Sequence, residues 1–350
     1  MRLDAPQMFF LVVRPDAPYG LARVTDGNDY LPTANLEVLR LRAELLRRTR
    51  GFFDGRGFLE VETPLLSADT VVDRHLDPFG VEVGGCMSSA PRRYWLQTSP
   101  EFAMKRLLAA GAEAIYQITR AFRRDEQGPL HNPEFTIVEW YRVGDGLEEG
   151  MTLLGDLAET LFARGPAERL SYREAFRRHV GLDPHTAAAE QLTATAKGQG
   201  IDPPASLSPT DRDGWLDLLL VELVQPHLGR DRPTILHDYP ASQAALAQLR
   251  DDGDTKVAER FELFVDSIEL ANGYHELTDA EELARRNREN NRLRELDGKE
   301  PLPVESRLLA AMRAGLPEAT GAALGFDRVA MLAAGAKRLD QVIPFPFDRA

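Results

Sequence analysis

Apolar residues recur at helical spacing soon after the start of the chain. Between residues 36 and 53 they fall on one face while arginines fill the other, which predicts an amphipathic opening helix. Gly55 and Gly57 end this helix. Residues 58–64 then have the pattern of a short strand closed by proline. The regular structure is therefore expected to begin with a helix and a strand.

The next patterns predict a helix and a hairpin. Residues 94–97 indicate a strand that leads into Thr98-Ser99-Pro100-Glu101. Thr98 and Glu101 have the spacing of a capping box, with proline in the first turn, so a helix should run to about Gly111. Residues 115–142 hold two apolar segments around a polar loop, which predicts two strands joined at a hairpin tip.

Helical patterns dominate residues 151–229 and include a second capping box at Ser171 and Glu174. Prolines interrupt this stretch, so we interpret it as a helical insertion with its loosest connection at 198–209. Strand patterns return at 234–237 and 261–270. The charged stretch 281–296 predicts a solvated helix. A glycine-bounded strand at 321–325 and a helix from 327 to 334 complete the pattern.

Composition narrows the class of protein. The chain has 350 residues, 43% of them hydrophobic, which allows one large domain or two small ones. Its net charge of −13 disfavours broad binding to nucleic acid, so bulk affinity for tRNA is not expected. The single cysteine, Cys86, excludes an intrachain disulfide and multi-cysteine metal sites and favours a cytoplasmic location.

The first 34 residues carry little information. The apolar run 8–13 is too short for a membrane span or a signal-peptide core. The remainder has turn formers and no helical period, which fits an edge strand, a loose arm or an over-long start-codon assignment. These alternatives stay open.

Cationic and hydrogen-bond-donating side chains occur at two places in the sequence where an anion could bind. Arg123, Arg124, His131 and Asn132 lie at the edges of the hairpin loop, and the chain has no G-x-x-x-x-G-K-[ST] phosphate loop. Arg328 falls in the first turn of its helix, where the helix dipole disfavours a cation by up to about 1 kcal/mol unless an anion is present. Either a bound phosphate or pairing with a carboxylate such as Asp327 would account for it.

These segments, taken in order, resemble a known family. Residues 57–64, 122–135 and 325–328 resemble motifs 1, 2 and 3 of class II aminoacyl-tRNA synthetases, and residues 98–101, 131–141 and 268–277 resemble the lysyl-tRNA synthetase subgroup. Lysyl-tRNA synthetases carry an anticodon-binding barrel ahead of this core. The roughly 35 residues before motif 1 leave no room for one. The chain is therefore most similar to the elongation factor P lysine ligases.

The resemblance implies an α+β fold, a mostly antiparallel sheet flanked by helices. Residues 35–350 would form the catalytic domain, with the helical insertion at about 150–230 and residues 1–34 as an arm. It implies a ligase that activates (R)-β-lysine with ATP and Mg²⁺ and attaches it to a lysine of translation elongation factor P. A homodimer through residues 36–64 and no membrane association are also implied.

The resemblance also implies roles at the nucleotide. Arg123 would bind the α-phosphate and the substrate carboxylate, and Arg328 the γ-phosphate, as the two catalytic residues. Phe135 would stack on adenine, and Glu269 would hold Mg²⁺. The implied ATP-binding set is Arg123, Arg124, Asp125, Asn132, Phe135, Glu269, Leu270, Gly325 and Arg328. Because Arg124-Asp125 replaces the usual Asn-Glu and Asp125 is one methylene shorter than Glu, either an adjusted loop or Glu126 would supply the adenine-side contact.

A diamino acid requires an acidic pocket. By resemblance, Glu101 and Glu139 face the backbone-side amine, while Glu276 and Tyr141 take the distal ammonium. The implied substrate-binding set is Ser99, Pro100, Glu101, Glu139, Tyr141, Asn272, Glu276 and Ala323. Ala323 replaces a usual glycine, which fits β-lysine better than α-lysine.

Two other functions stay open at this point. One is a minimal lysyl-tRNA synthetase-like enzyme acting on tRNA or a small amine, and the other is a catalytically silent regulatory paralogue. Taken alone, Glu101 could be only a helix cap and Glu269 could pair with a surface arginine. The retained arginines and carboxylates favour an enzyme.

Overall fold

The computed structural model describes residues 30–84 and 92–350. The helices are α1 (Leu36–Asp54), α2 (Glu101–Ala109), α3 (Leu147–Phe162), α4 (Tyr172–His179), α5 (Ala189–Gly198), α6 (Arg212–Leu219), α7 (Ala280–Leu296), α8 (Arg307–Gly315) and α9 (Phe326–Ala333). The strands are β1 (Leu59–Glu60), β2 (Leu66–Ser67), β3 (Gly80–Val83), β4 (Arg92–Leu96), β5 (Ala114–Phe122), β6 (Glu134–Val143), β7 (Glu168–Ser171), β8 (Thr234–Pro240), β9 (Leu249–Asp252), β10 (Thr255–Val265), β11 (Ile268–His275) and β12 (Ala319–Gly325).

A large sheet runs in the order β1-β5-β6-β12-β11-β10-β8-β7, with β9 added on β10. Its central pairs are antiparallel, and only the outer pairs β1 with β5 and β7 with β8 are parallel. A separate three-stranded sheet has the order β2-β4-β3. The predicted α+β class, with a mostly antiparallel sheet flanked by helices, is confirmed.

Strand alternation gives the large sheet two different faces. On β6, Val138 and Trp140 face a hydrophobic cluster that also contains Phe53 of α1, Leu154 of α3 and Val329 of α9. The alternate residues Phe135, Ile137, Glu139 and Tyr141 face a cavity on the opposite side. Helices α2, α7 and α8 pack at one end of that side. The hydrophobic layer thus supports a sheet whose other face is free to carry polar side chains.

The insertion has a hydrophobic cluster of its own. Tyr172 and Phe176 of α4 stack with their ring centroids 4.6 Å apart, and Trp215 of α6 belongs to the same cluster. The predicted capping box on α4 is present, because Ser171 and Glu174 bond reciprocally. The insertion is not wholly helical, however. It contains β7, and a π-helical stretch, Leu220–Val224, continues α6.

The capping box predicted at Thr98 and Glu101 is wrong. Pro100 occupies the N-cap position of α2 without a side-chain cap. The Ser99 hydroxyl instead accepts the Glu101 N–H at 3.0 Å. The Glu101 carboxylate turns the other way and pairs with Lys105 at 2.5 Å. An ion pair inside the first turn has replaced the expected cap.

Other expected elements differ in extent. The opening strand is β1 alone, two residues long, rather than 58–64. Residues 261–270 divide between β10 and β11, because Asp266 and Ser267 adopt positive φ values of 50° and 64° and form a tight turn. The charged helix α7 is present, but it is not solvated throughout. Arg294 is 2% exposed and donates to the Asp77 carboxylate at 2.9 Å.

Predictions about the first 29 residues and about Cys86 lie outside the described residues. The boundary between an arm and the catalytic domain at residue 34 stays a prediction. Among the helices that the structure describes, none combines the length and the apolar composition needed to cross a bilayer.

Candidate active site

A cavity of about 1040 Å³ lies over the centre of the large sheet. Strands β6, β10, β11 and β12 provide its floor, and α2, α7 and the insertion contribute to its walls. This volume is at the upper end of the range for small-molecule sites, so there is room for a nucleotide beside an amino acid. The predicted site residues fall mostly on this cavity, at two chemically different ends.

One end holds the two predicted arginines. Arg123 follows β5, and Arg328 lies in the first turn of α9; both side chains line the cavity. The guanidinium of Arg328 donates to the backbone carbonyls of Leu130 and Glu269 at 3.2 and 2.8 Å. The alternative in which Asp327 neutralises Arg328 is wrong, because Asp327 pairs with Arg42 at 2.7 Å. Arg328 therefore keeps its positive charge available to the cavity.

His131 lies between the two arginines. Its Nε2 is 2.7 Å from Nη2 of Arg328, which must be the donor because a guanidinium cannot accept. Burial, then the charges of Arg328 and Arg123, lowers the pKa of His131 to about 3. The imidazole is neutral at physiological pH and orients Arg328 without adding charge.

The loop after Arg123 differs from what was expected. Arg124 and Asp125 do not line the cavity, whereas Glu126 does. Asp125 has φ = 69°, and this left-handed conformation turns the chain and brings the next carboxylate inward. Glu126 is 3.7 Å from Arg123. Of the two carboxylates, Glu126 is therefore the one placed at the cavity, and the adenine-side contact itself stays a prediction.

Phe135 and Asn132 both line this end of the cavity. The guanidinium of Arg123 lies over the Phe135 ring, 5.0 Å from its centroid. Asn132 is held by structural bonds: its amide donates to the Glu134 carbonyl at 2.6 Å and accepts the Phe347 N–H at 3.0 Å. Asn132 thus fixes the loop against the C-terminal segment, and its role at the nucleotide stays a prediction.

Two carboxylates that line the same cavity lie on neighbouring strands. Glu269 is on β11 and Glu262 is on β10. Burial raises the pKa of Glu262, and the charge of Glu269 adds to the rise while Arg260 opposes it. Arg260 donates to Glu262 at 2.6 Å. Carboxylate oxygens on neighbouring strands are ligands of the kind that suits Mg²⁺, which usually takes its remaining ligands from phosphates and water.

Leu270 and Gly325 also lie at this end of the cavity. They face each other closely: a Cβ built on Gly325 would come 3.7 Å from the Leu270 carbonyl oxygen. Gly325 is the N-cap residue of α9, so β12 passes directly into the helix that carries Arg328.

The opposite end of the cavity is acidic. Glu101, Glu139 and Glu276 all line it, and all three are buried. Glu139 accepts hydrogen bonds from the hydroxyls of Ser99 at 2.7 Å and Tyr141 at 2.6 Å. Burial, together with the charge of Glu101, raises the pKa of Glu139 to about 7. The end that was predicted to bind amines is therefore rich in carboxylates.

Tyr141 donates to Glu139, and the role predicted for Tyr141 and Glu276 at the distal ammonium stays a prediction. Glu276 pairs with Lys105 at 2.5 Å, and the same ammonium also reaches Glu101. Pro100 starts α2 and does not line the cavity. All the other predicted substrate residues line it: Ser99, Glu101, Glu139, Tyr141, Asn272, Glu276 and Ala323.

Close backbone packing gives the acidic end its shape. Gly321 on β12 lies opposite Tyr141 on β6. A Cβ at Gly321 would overlap the Tyr141 ring and come 2.8 Å from Oε1 of Glu276. Ala323 lies opposite Glu139 in the same pairing. Asn272 on β11 donates to the Tyr274 hydroxyl at 2.9 Å and accepts from Arg260 at 3.3 Å.

Sequence reasoning missed Lys105, Glu262 and Gly321. A signal existed for each of the charged residues. Lys105 follows Glu101 by one helical turn, and Glu262 is a lone carboxylate between the apolar residues of a buried strand. The sequence indicates Gly321 only as the boundary of a strand.

Comparison with known proteins agrees with this site. Residues 29–349 match the family model described as tRNA synthetases class II (D, K and N). The chain belongs to this class II synthetase family. It is 46% identical over 319 residues to the elongation factor P–(R)-β-lysine ligase of Salmonella arizonae, which covers 91% of this chain and 98% of that relative. Ligases with the same name from Klebsiella pneumoniae and an Enterobacter species match with the same identity and coverage.

The three class II synthetase motifs can now be placed in the fold. Motif 1 is the end of α1 with β1, motif 2 is the β5–β6 hairpin, and motif 3 is the end of β12 with the start of α9. Motifs 2 and 3 meet at His131, between Arg123 and Arg328.

Proposed function

We propose that this chain activates (R)-β-lysine as an adenylate and transfers it to a lysine of translation elongation factor P. The observation that carries the proposal is a single cavity with two arginines at one end and three buried carboxylates at the other. The match to elongation factor P–(R)-β-lysine ligases along nearly the whole chain supports the choice of substrate and acceptor.

In the first step, an oxygen of the amino-acid carboxylate attacks the α-phosphorus of ATP. A new O–P bond forms, the bond between the α-phosphorus and its bridging oxygen breaks, and pyrophosphate leaves. Arg123 neutralises charge that builds on the α-phosphate, and Arg328 holds the γ-phosphate. Because His131 is neutral and bonded to Arg328, the position of that guanidinium is fixed before ATP binds.

In the second step, the amine of the acceptor lysine attacks the carbonyl carbon of the adenylate. An amide N–C bond forms, the C–O bond to phosphate breaks, AMP leaves, and the amine loses a proton to solvent. The carboxylates Glu101, Glu139 and Glu276 hold the ammonium groups of the substrate throughout. Hydrogen bonds from Ser99 and Tyr141 fix Glu139 in place.

Mg²⁺ fits the site that Glu262 and Glu269 form. Both are carboxylates on adjacent strands, and both line the cavity beside the arginine end. The ion would neutralise charge on the phosphates of ATP. Arg260 keeps Glu262 in position through its 2.6 Å hydrogen bond.

We also propose a homodimer, formed through the segment that contains α1 and β1. Six of the eleven large hydrophobic side chains that are exposed in the described part of the chain belong to residues 30–66: Tyr30, Leu31, Leu36, Leu59, Leu65 and Leu66. Clustered exposed apolar side chains are typical of subunit contacts. We place the reaction in the cytoplasm, where ATP and translation factors are found.

Mass spectrometry tests the proposal. Incubation with ATP, Mg²⁺, (R)-β-lysine and elongation factor P should add one β-lysyl mass to the factor and release pyrophosphate. A factor whose acceptor lysine is replaced by arginine is the matched control and should gain no mass. No mass gain together with no pyrophosphate release would overturn the proposal. Charging of tRNA with lysine would favour the tRNA-dependent alternative.

A further inference from the structure

A lysine of the protein itself lies against the carboxylates of the acidic end. Lys105 follows Glu101 by one turn of α2, and its ammonium is 2.5 Å from Oε1 of Glu101 and 2.5 Å from Oε2 of Glu276. The side chain is 2% exposed and does not line the cavity. The ammonium therefore lies behind the two carboxylates, on the side away from any ligand.

The charges around Lys105 can be added up. The titratable groups that face this region are Glu101 on α2, Glu139 and Tyr141 on β6, Tyr274 on β11, and Glu276 just after β11. Arg260, near Tyr274, is paired with Glu262. With Lys105 charged and the three carboxylates ionised, the acidic end carries two net negative charges. A diamino acid brings two positive charges.

The Lys105 ammonium weakens the net attraction of the acidic end for a positively charged ligand. Its position must therefore be explained by a role other than attracting the ligand. We propose that Lys105 is a positioning residue that holds the carboxylates of Glu101 and Glu276 aimed at the ammonium groups of a diamino acid. This inference rests on the proposed function, because it takes a diamino acid as the ligand.

The physical reason is the low polarity of the site. Burial raises the pKa of Glu276 and of Glu139, and the neighbouring carboxylates raise both further, while Lys105 opposes the rise. Burial alone would lower the pKa of Lys105, but Glu101 and Glu276 outweigh it and raise that pKa. The ammonium thus stays charged. Without it, the pKa of Glu276 and of Glu139 would rise further, and a proton held there must leave before both ligand ammonium groups can bind.

The test is the pH dependence of pyrophosphate exchange with (R)-β-lysine. We compare the wild type with K105M and K105Q, which remove the charge, and with K105R, which retains it. In the neutral variants the midpoint of kcat/KM for β-lysine should move up by about one pH unit, and KM for β-lysine at pH 7 should rise about tenfold. The KM for ATP should not change, and K105R should restore the wild-type midpoint. The ligand's own amines titrate identically in every variant.

Three outcomes are distinguishable. A raised midpoint in both neutral variants, restored in K105R, supports the inference. If K105M and K105Q fold by circular dichroism and lose activity equally at every pH, Lys105 only joins α2 to the sheet and the inference is overturned. If the wild type shows no exchange with any diamino acid, the proposed function fails, and the inference fails with it.

Discussion

At the scale of single residues, the site depends on how Arg328 is held. Its guanidinium donates to two backbone carbonyls and to a neutral histidine, and none of these partners carries a negative charge. The carboxylate next to it in the sequence, that of Asp327, pairs with Arg42 instead. Arg328 is therefore positioned without being neutralised, which is the state that suits an anion-binding side chain.

Replacing this arginine tests its role at the phosphates. Arg328→Gln should lower kcat/KM for ATP in pyrophosphate exchange by roughly a hundredfold, because a preorganised donor is lost. Arg338→Gln is the matched control, since Arg338 is half exposed and its side chain pairs with Asp340. Equal activity of Arg328→Gln and the control would exclude Arg328 from ATP activation.

The sequence predicted some of these residues and not others. Arg123, Arg328 and the three carboxylates of the acidic end could be predicted because their motifs are local in sequence. The sequence alone could not show that Glu126, and not Asp125, would line the cavity, because this depends on the positive φ value of Asp125. The ion pair between Lys105 and Glu276 could not be predicted either, because its partners lie 171 positions apart in the sequence.

At the scale of elements, the acidic end exists because three strands approach closely. Strand β12 pairs with both β6 and β11, and Gly321 leaves the space that the Tyr141 ring and the Glu276 carboxylate occupy. A side chain at this position would push the strands' functional groups apart. The space at the acidic end therefore depends on the absence of a side chain at Gly321.

Gly321→Ala should raise KM for β-lysine about tenfold or more and leave KM for ATP unchanged, because overpacking costs about 1–3 kcal/mol at the affected end only. Steady-state pyrophosphate exchange with each substrate varied in turn measures both constants. Gly155→Ala is the control, since its Cβ would meet Ala167 at an ordinary 3.6 Å. A parallel rise in both KM values would contradict this account of the pocket.

Local sequence patterns predicted most helices and strands, but not the turn between two of the strands or the pairing of β7. The helical spacing of apolar residues in α1 and their alternation with polar residues in β5 and β6 were sufficient to predict these elements, because each element buries one face. The turn between β10 and β11 was missed because Asp266 and Ser267 have no glycine to mark their positive φ values. Strand β7 was missed because its pairing with β8 is formed by residues 66 positions apart, as in Glu168 and Thr234.

At the scale of the whole molecule, the exposed apolar side chains are concentrated in the segment 30–66. Leu36 is 68% exposed and Leu59 is 62% exposed, and both belong to the elements of motif 1. Within residues 30–84 and 92–350, β1 is an edge strand of the large sheet, a position that suits contact with a second copy.

Leu59→Glu should convert a dimer to a monomer, because a carboxylate buried in an apolar contact has no partner. Size-exclusion chromatography with light scattering gives the mass directly. Leu249→Glu on edge strand β9 is the matched control, since Leu249 is also exposed but lies outside the segment 30–66. Wild-type protein that elutes as a monomer would remove the dimer from the proposal.

The ion pair between Arg42 and Asp327 has a consequence for regulation. Arg42 belongs to α1, and Asp327 also accepts the Thr136 N–H of β6 at 2.7 Å. In the proposed dimer, a displacement of α1 by the neighbouring subunit would therefore be transmitted through Arg42 to Asp327, the residue that precedes Arg328. In such a dimer, subunit association and nucleotide affinity would be thermodynamically linked, so ATP should change the self-association constant by the same factor by which self-association changes the affinity for ATP.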